Sequence, residues 1–88
     1  MQIEITKKFG KQVEKCQNKK IRTALSKIIQ NIHQARNLHE IRNLKKLKGF
    51  KKFYRIRIGD YRMGIVIKNN KVVLAAFDHR SDIYNYFP

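Results

Sequence analysis

The chain has 88 residues, with 21 lysines and arginines against 6 aspartates and glutamates, for a formal net charge of +15. That length accommodates one domain over residues 1–88 with a small core, and a hydrophobic content of 42% is too high for a disordered tail. No apolar run approaches the ~18 residues of a membrane span, and Met1–Thr6 lacks the apolar stretch of a signal peptide. Met1–Thr6 alternates, with Ile3 and Ile5 on one face, and predicts an opening strand. Thr6 then caps a first helix carrying Phe9, Val13 and Cys16 at helical spacing, and Gln17-Asn18 breaks it. Ile21, Leu25, Ile28, Ile29 and Ile32 form one apolar stripe, which predicts a second helix from Asn18 to about Ala35.

After a polar connection over 35–40, the segment 42–52 holds Arg42, Lys45, Lys46, Lys48, Lys51 and Lys52 without an acidic residue. From Phe53 the period becomes two. Strands are predicted over 53–58, 61–68 and 71–78, joined by Gly59-Asp60 and Asn69-Asn70, both two-residue hairpin signals. His79–Pro88 adds a short final extended segment. The order gives an α+β class: an N-terminal strand, a two-helix hairpin, then an antiparallel β-meander with both helices on one sheet face.

Two-residue turns set a register. Ile58 pairs with Tyr61, Arg57 with Arg62, Arg55 with Gly64, Lys68 with Lys71, Gly64 with Ala75, and Arg62 with Phe77. The core face then carries Ile56, Ile58, Tyr61, Met63, Ile65, Ile67, Val72, Leu74 and Ala76. The opposite face carries Phe53, Arg55, Arg57, Arg62, Gly64, Val66, Val73, Ala75, Phe77 and His79. Arg57 facing Arg62 opposes pairing, and Gly64 with Ala75 leaves a hollow beside Arg55. Three arginines around a hollow suit a phosphate-bearing ligand, because the guanidinium fork bonds phosphate bidentately.

The excess charge disfavours the compact state and calls for an anionic partner. One cysteine, Cys16, excludes an internal disulfide and fits a reducing cytoplasm. Three histidines and that cysteine show no metal-ligand spacing, and no glycine-rich phosphate loop is present, so no metal or cofactor is expected. His79, placed at the end of the arginine face, is suited to proton transfer in RNA cleavage.

Lys-Lys-Leu-Lys-Gly at 45–49, Tyr-Arg-Ile-Arg-Ile-Gly-Asp-Tyr-Arg at 54–62 and His-Arg-Ser-Asp-Ile-Tyr at 79–84 together resemble the RelE/ParE superfamily of toxins, and are most similar to its RelE branch. The resemblance runs the length of the chain. It implies a toxin of a type II toxin–antitoxin system that cleaves mRNA in the ribosomal A site, without metal, by attack of the 2′-hydroxyl. It also implies neutralisation by an acidic and apolar RelB-like antitoxin segment. By position it assigns the site to Arg55, Arg57, Arg62 and Tyr84, the last stacking on a base, with His79 or Arg80 as the C-terminal member. Family members with lysine at the first two positions hold a potential base there; arginine is a poor one, which shifts proton transfer to His79. Arg42, Lys45, Lys46, Lys48, Lys51 and Lys52 are then a positioning surface for ribosomal RNA. The sequence ends at Pro88, short of the C-terminal helix of longer members. A ParE-like inhibitor of DNA gyrase and a non-catalytic RNA- or protein-binding module are the alternatives.

Overall fold

Thr6 organises the first junction of the computed structural model, which describes residues 1–88. Its Oγ1 accepts the Phe9 N–H at 3.1 Å, capping helix α1 (Lys7–Lys15), and donates toward the carbonyls of Leu74 and Ala75 at 3.2 and 3.1 Å. Strand β1 (Gln2–Ile5) is thereby held against the last hairpin strand. Asn18 caps α2 (Lys19–Gln34) through the Ile21 N–H, and Ala35 closes it, so the observed helix is the expected one. Arg22 Nη1 reaches back to the carbonyls of Val13 and Cys16 at 2.9 and 3.0 Å, which satisfies the end of α1 and ties the helices together. No helix is long and apolar enough to cross a membrane.

The remaining strands are β2 (Lys45–Lys46), β3 (Phe53–Ile58), β4 (Tyr61–Lys68) and β5 (Lys71–His79). They form one five-stranded sheet in the order β1-β5-β4-β3-β2, with β1 parallel to β5 and every other pair antiparallel. Both hairpin turns use left-handed backbone: φ is +58° at Gly59, and 51° and 62° at Asn69 and Asn70. β2 was not expected, because two lysines carry no apolar alternation. It pairs along the outer edge of β3, with Lys45 opposite Arg55 and Lys46 opposite Tyr54. The helices pack on one face, where Phe9, Cys16, Leu25 and Ile32 meet Ile56, Ile58, Met63, Ile65, Val72 and Leu74.

The β3–β4 register is the one the turn dictates, Arg57 opposite Arg62 and Arg55 opposite Gly64. The β4–β5 register is not. It follows the turn from Lys68–Lys71 to Ile65–Leu74, then shifts by one, so that Gly64 pairs with Ala76, Met63 with Phe77, Arg62 with Asp78 and Tyr61 with His79. The extra residue is Ala75, whose carbonyl takes the Thr6 hydroxyl. A one-residue bulge turns every later side chain to the other face. Phe77 therefore joins the core, stacked on Tyr61 at 5.0 Å and edge-on to Phe9 at 6.1 Å. Ala76 and Asp78 take the places expected for Ala75 and Phe77.

The segment after β5 is not extended. A 3-10 turn at Ile83–Asn85 folds it over the face away from the helices. There Ile83 and Phe87 bury against Ala76, with Leu47, Phe53, Val66 and Ala75 around them. The expected hollow at Gly64 is filled: a Cβ built on Gly64 would lie 2.7–2.9 Å from three atoms of the Phe87 ring. Gly64 lacks a side chain because this ring rests on its backbone.

Candidate nucleic-acid site

Arg55 and Arg57 alternate out of β3 on the face opposite the helices, and β4 brings Arg62 to the same face beside Arg57. Like charges this close raise each other's cost of ionisation. Partial burial, and then the Arg57 charge, hold the Arg55 guanidinium below its ordinary value. Arg62 relieves its side of the pair by turning to the hairpin, where Nη1 donates to the carbonyls of Gly59 and Tyr61, both at 2.8 Å. Its Nε and Nη2 are left without protein acceptors.

The 3-10 turn carries Tyr84, 48% exposed, over the same face, between Ile83 and Phe87, which pack onto it. Two pins hold the segment that carries it. Phe87 rests on Gly64 and lies 5.6 Å from Phe53. The Tyr86 hydroxyl donates to Asp78 Oδ2 at 2.8 Å and accepts from Gln12 Nε2 at 2.6 Å, while Gln12 Oε1 takes the Phe77 N–H. Lys8 Nζ lies 3.6 Å over the Tyr86 ring. Loss of hydration and the bond to Asp78 push the Tyr86 phenol up to about 12.

A depression of about 440 Å³ opens at the edge of the arginine face, lined by Asn43, Leu44, Lys45, Arg55 and Arg57. Lys45 enters it through its pairing with Arg55, so the missed strand β2 adds a fourth cation. A second depression of about 450 Å³ lies on the β2–β3 loop, among Lys46, Leu47, Lys48, Gly49, Phe50 and Lys51. Arg42 and Lys52 are exposed.

One expected member is displaced to the far side of the sheet, and the other stays at the hairpin that holds Arg62. His79 is on the helix face, because the bulge turns it there. Its ring meets Tyr61 edge-on at 5.9 Å, and its Nδ1 accepts the Ser81 N–H at 3.2 Å with Ser81 Oγ at 2.8 Å. Arg80 sits at the β3–β4 turn, with its N–H on the Asp60 carbonyl at 2.7 Å and Nε 3.7 Å from the Asp60 carboxylate. The site thus gathers Arg55, Arg57, Arg62 and Tyr84, with Lys45 at one edge, Arg80 at the turn beside Arg62, and His79 on the other side of the sheet.

This fold and this chain match known proteins. The profile of the ParE toxin of the type II toxin–antitoxin system parDE matches residues 3–84. The chain belongs to this family of toxins, within the RelE/ParE superfamily. The toxin is 44% identical over 36 residues to Toxin RelE3 of Methanocaldococcus jannaschii. That match spans 41% of the toxin and 41% of the relative, well under half of each. Over nearly the whole chain it resembles a chain of the RelB–RelE antitoxin–toxin complex from Methanococcus jannaschii, with 31% identity and a TM-score of 0.80 across 97% of the toxin and 99% of that chain. The isolated E. coli RelE toxin shares the fold at 19% identity, with a TM-score of 0.67 over 96% of the toxin and 90% of that chain. A mixed α+β architecture with two helices on a five-stranded sheet is common to them.

Proposed function

We propose that this toxin inhibits translation as a ribosome-dependent mRNA endonuclease. The observation that carries the reading is the convergence of Arg55, Arg57, Arg62 and Tyr84 on one sheet face, with Lys45 at its edge. In the reaction the 2′-hydroxyl attacks the adjacent phosphorus, the bond to the 5′-oxygen breaks, and a 2′,3′-cyclic phosphate forms. The arginines hold the charge that grows on the phosphorane, the largest single contribution such a site makes. Tyr84 stacks on a base beside the scissile phosphate. Since His79 lies behind the sheet and the Asp78 carboxylate is engaged by the Tyr86 hydroxyl, proton transfer falls to Tyr84 and Lys45, or to the ribosome.

The natural partner in this reading is an antitoxin rich in acidic and apolar residues, supported by the RelB–RelE complexes among the structural relatives and by the charge of +15. Gyrase inhibition is the second reading, favoured by the ParE name of the matching profile. Purified toxin added to ribosomes carrying a defined message separates the two. Cleavage with 2′,3′-cyclic phosphate ends, and unchanged gyrase supercoiling, is the expected result. Gyrase inhibition with an intact message reverses the assignment. Binding to ribosomes with neither effect leaves a non-catalytic module.

A further inference from the structure

Phe50 is 45% exposed in the most basic segment of the chain. Its position is fixed: the N–H of Phe50 bonds the Leu47 carbonyl at 3.2 Å, and Gly49 takes a φ of +85° to close the turn. The ring leans on Phe53 at 5.7 Å, and Phe53 leans on Phe87 at 5.6 Å, so a row of aromatics runs from the loop to the floor of the arginine face. Around the exposed end of this row lie Lys46, Lys48 and Lys51, bordering the depression of about 450 Å³.

From this geometry we infer that Phe50 is a second base-stacking platform, taking an unpaired base of single-stranded RNA while the three lysines hold its phosphates. An apolar ring ringed by ammonium groups needs a partner that is both anionic and flat, and an unpaired nucleotide has both properties. An acidic peptide would satisfy the lysines, but the row of rings points elsewhere. It makes the platform continuous with the face where Arg55 and Tyr84 lie, so a strand crossing that face reaches Phe50 within a nucleotide or two. The inference rests on the proposed RNA reading for the direction of that strand, and names a contact outside the reacting phosphate.

The test measures binding, not cleavage, so it stands apart from the ribosome assay. A single-stranded RNA hexamer containing 2-aminopurine, and the same sequence as a duplex, are titrated with wild type, Phe50→Leu and Phe50→Trp. Wild type is expected to quench the fluorophore. Phe50→Leu keeps an apolar side chain but should bind the single strand about tenfold more weakly, within the range of one lost stacking contact. Its duplex affinity and its salt slope should match wild type, and Phe50→Trp should recover the quenching. Equal single-strand affinity in Phe50→Leu, or no quenching by wild type, overturns the inference. So does a Phe50→Leu protein that loses its antitoxin complex while keeping RNA, which makes the ring a protein contact.

Discussion

Arg57 and Arg62 are directly opposed, and the turn explains how the fold tolerates them. Two carbonyls of the hairpin, Gly59 and Tyr61, take Arg62 Nη1, so their dipoles solvate its charge locally while its other donors remain open. This pair was legible from the sequence, because a two-residue turn at Gly59-Asp60 leaves no freedom in the register beside it. Arg62→Ala should lower single-turnover cleavage on ribosomes by roughly 10²–10³, the scale of one preorganised contact to developing charge. Arg62→Lys, which keeps the charge and loses the fork, should fall between. Wild-type rates in Arg62→Ala would take the residue out of the chemistry. His79 shows the opposite case. Its face was read from a register that Ala75 breaks 4 residues earlier, and nothing in Leu74-Ala75-Ala76 marks the bulge. The Thr6 hydroxyl that holds it is 69 positions away from Ala75 in the chain. His79→Ala is therefore expected to cleave near the wild-type rate and to loosen the turn at Ser81. A loss of roughly 10²–10⁴ in the chemical step would return the role of general base to the histidine.

At the scale of elements, the segment after β5 decides whether Tyr84 is present in the site, and its two pins make separate predictions. Gly64→Ala places a methyl group where the Phe87 ring lies and should expel it, at a cost of about 1–3 kcal/mol. The core on the helix face is untouched, so the sheet should remain folded while cleavage falls. A double-mutant cycle distinguishes positioning from general damage: Gly64→Ala should add little to Tyr84→Ala, and full additivity would show that the ring does not act through Tyr84. The other pin is sensitive to pH. Tyr86 ionises near 10 when unfolded and at about 12 when folded, so its contribution is complete below pH 10 and is lost as pH rises through 12. Asp78 and Asp82 add to that shift, and Lys8 faces the ring. Wild type should lose stability relative to Tyr86→Phe between pH 10 and 12; parallel curves would show that neither burial nor the bond to Asp78 holds the phenol neutral in the folded protein. Neither pin was legible. Tyr-Asn-Tyr-Phe reads as an extended tail, and its folding back depends on the vacancy at Gly64 and on Gln12, both supplied by distant elements. The helices and hairpins were legible because their caps and turns are local, whereas β2 exists only because β3 offers it an edge.

Charge acts on the whole molecule. The ion pairs are two, Arg36–Glu40 at 3.5 Å and Arg80–Asp60 at 3.7 Å, both with exposed partners, so most of the 21 cations have no carboxylate neighbour. Composition alone made this legible, although the faces on which the cations gather needed the sheet. The molecule measures 31 × 27 × 22 Å. At about 0.01 M salt the screening length is near 30 Å, so each charge acts on every other; at about 0.15 M it falls to near 8 Å and only neighbours interact. Surface ion pairs contribute little here, and repulsion dominates the salt-dependent energy. Melting temperature should therefore rise as sodium chloride is raised over this range, by roughly 4–8 °C for each kcal/mol of repulsion removed in a domain of this size. Lys27→Gln, on the exposed side of α2 and away from both candidate RNA contacts, should melt higher than wild type at low salt and converge with it at high salt. A short polyanion should stabilise wild type further by binding the folded form, and the antitoxin should do so more strongly. A melting temperature that stays flat or falls with added salt would mean that the charges are already balanced within the fold, and that a partner's negative charge is not what stabilises this protein.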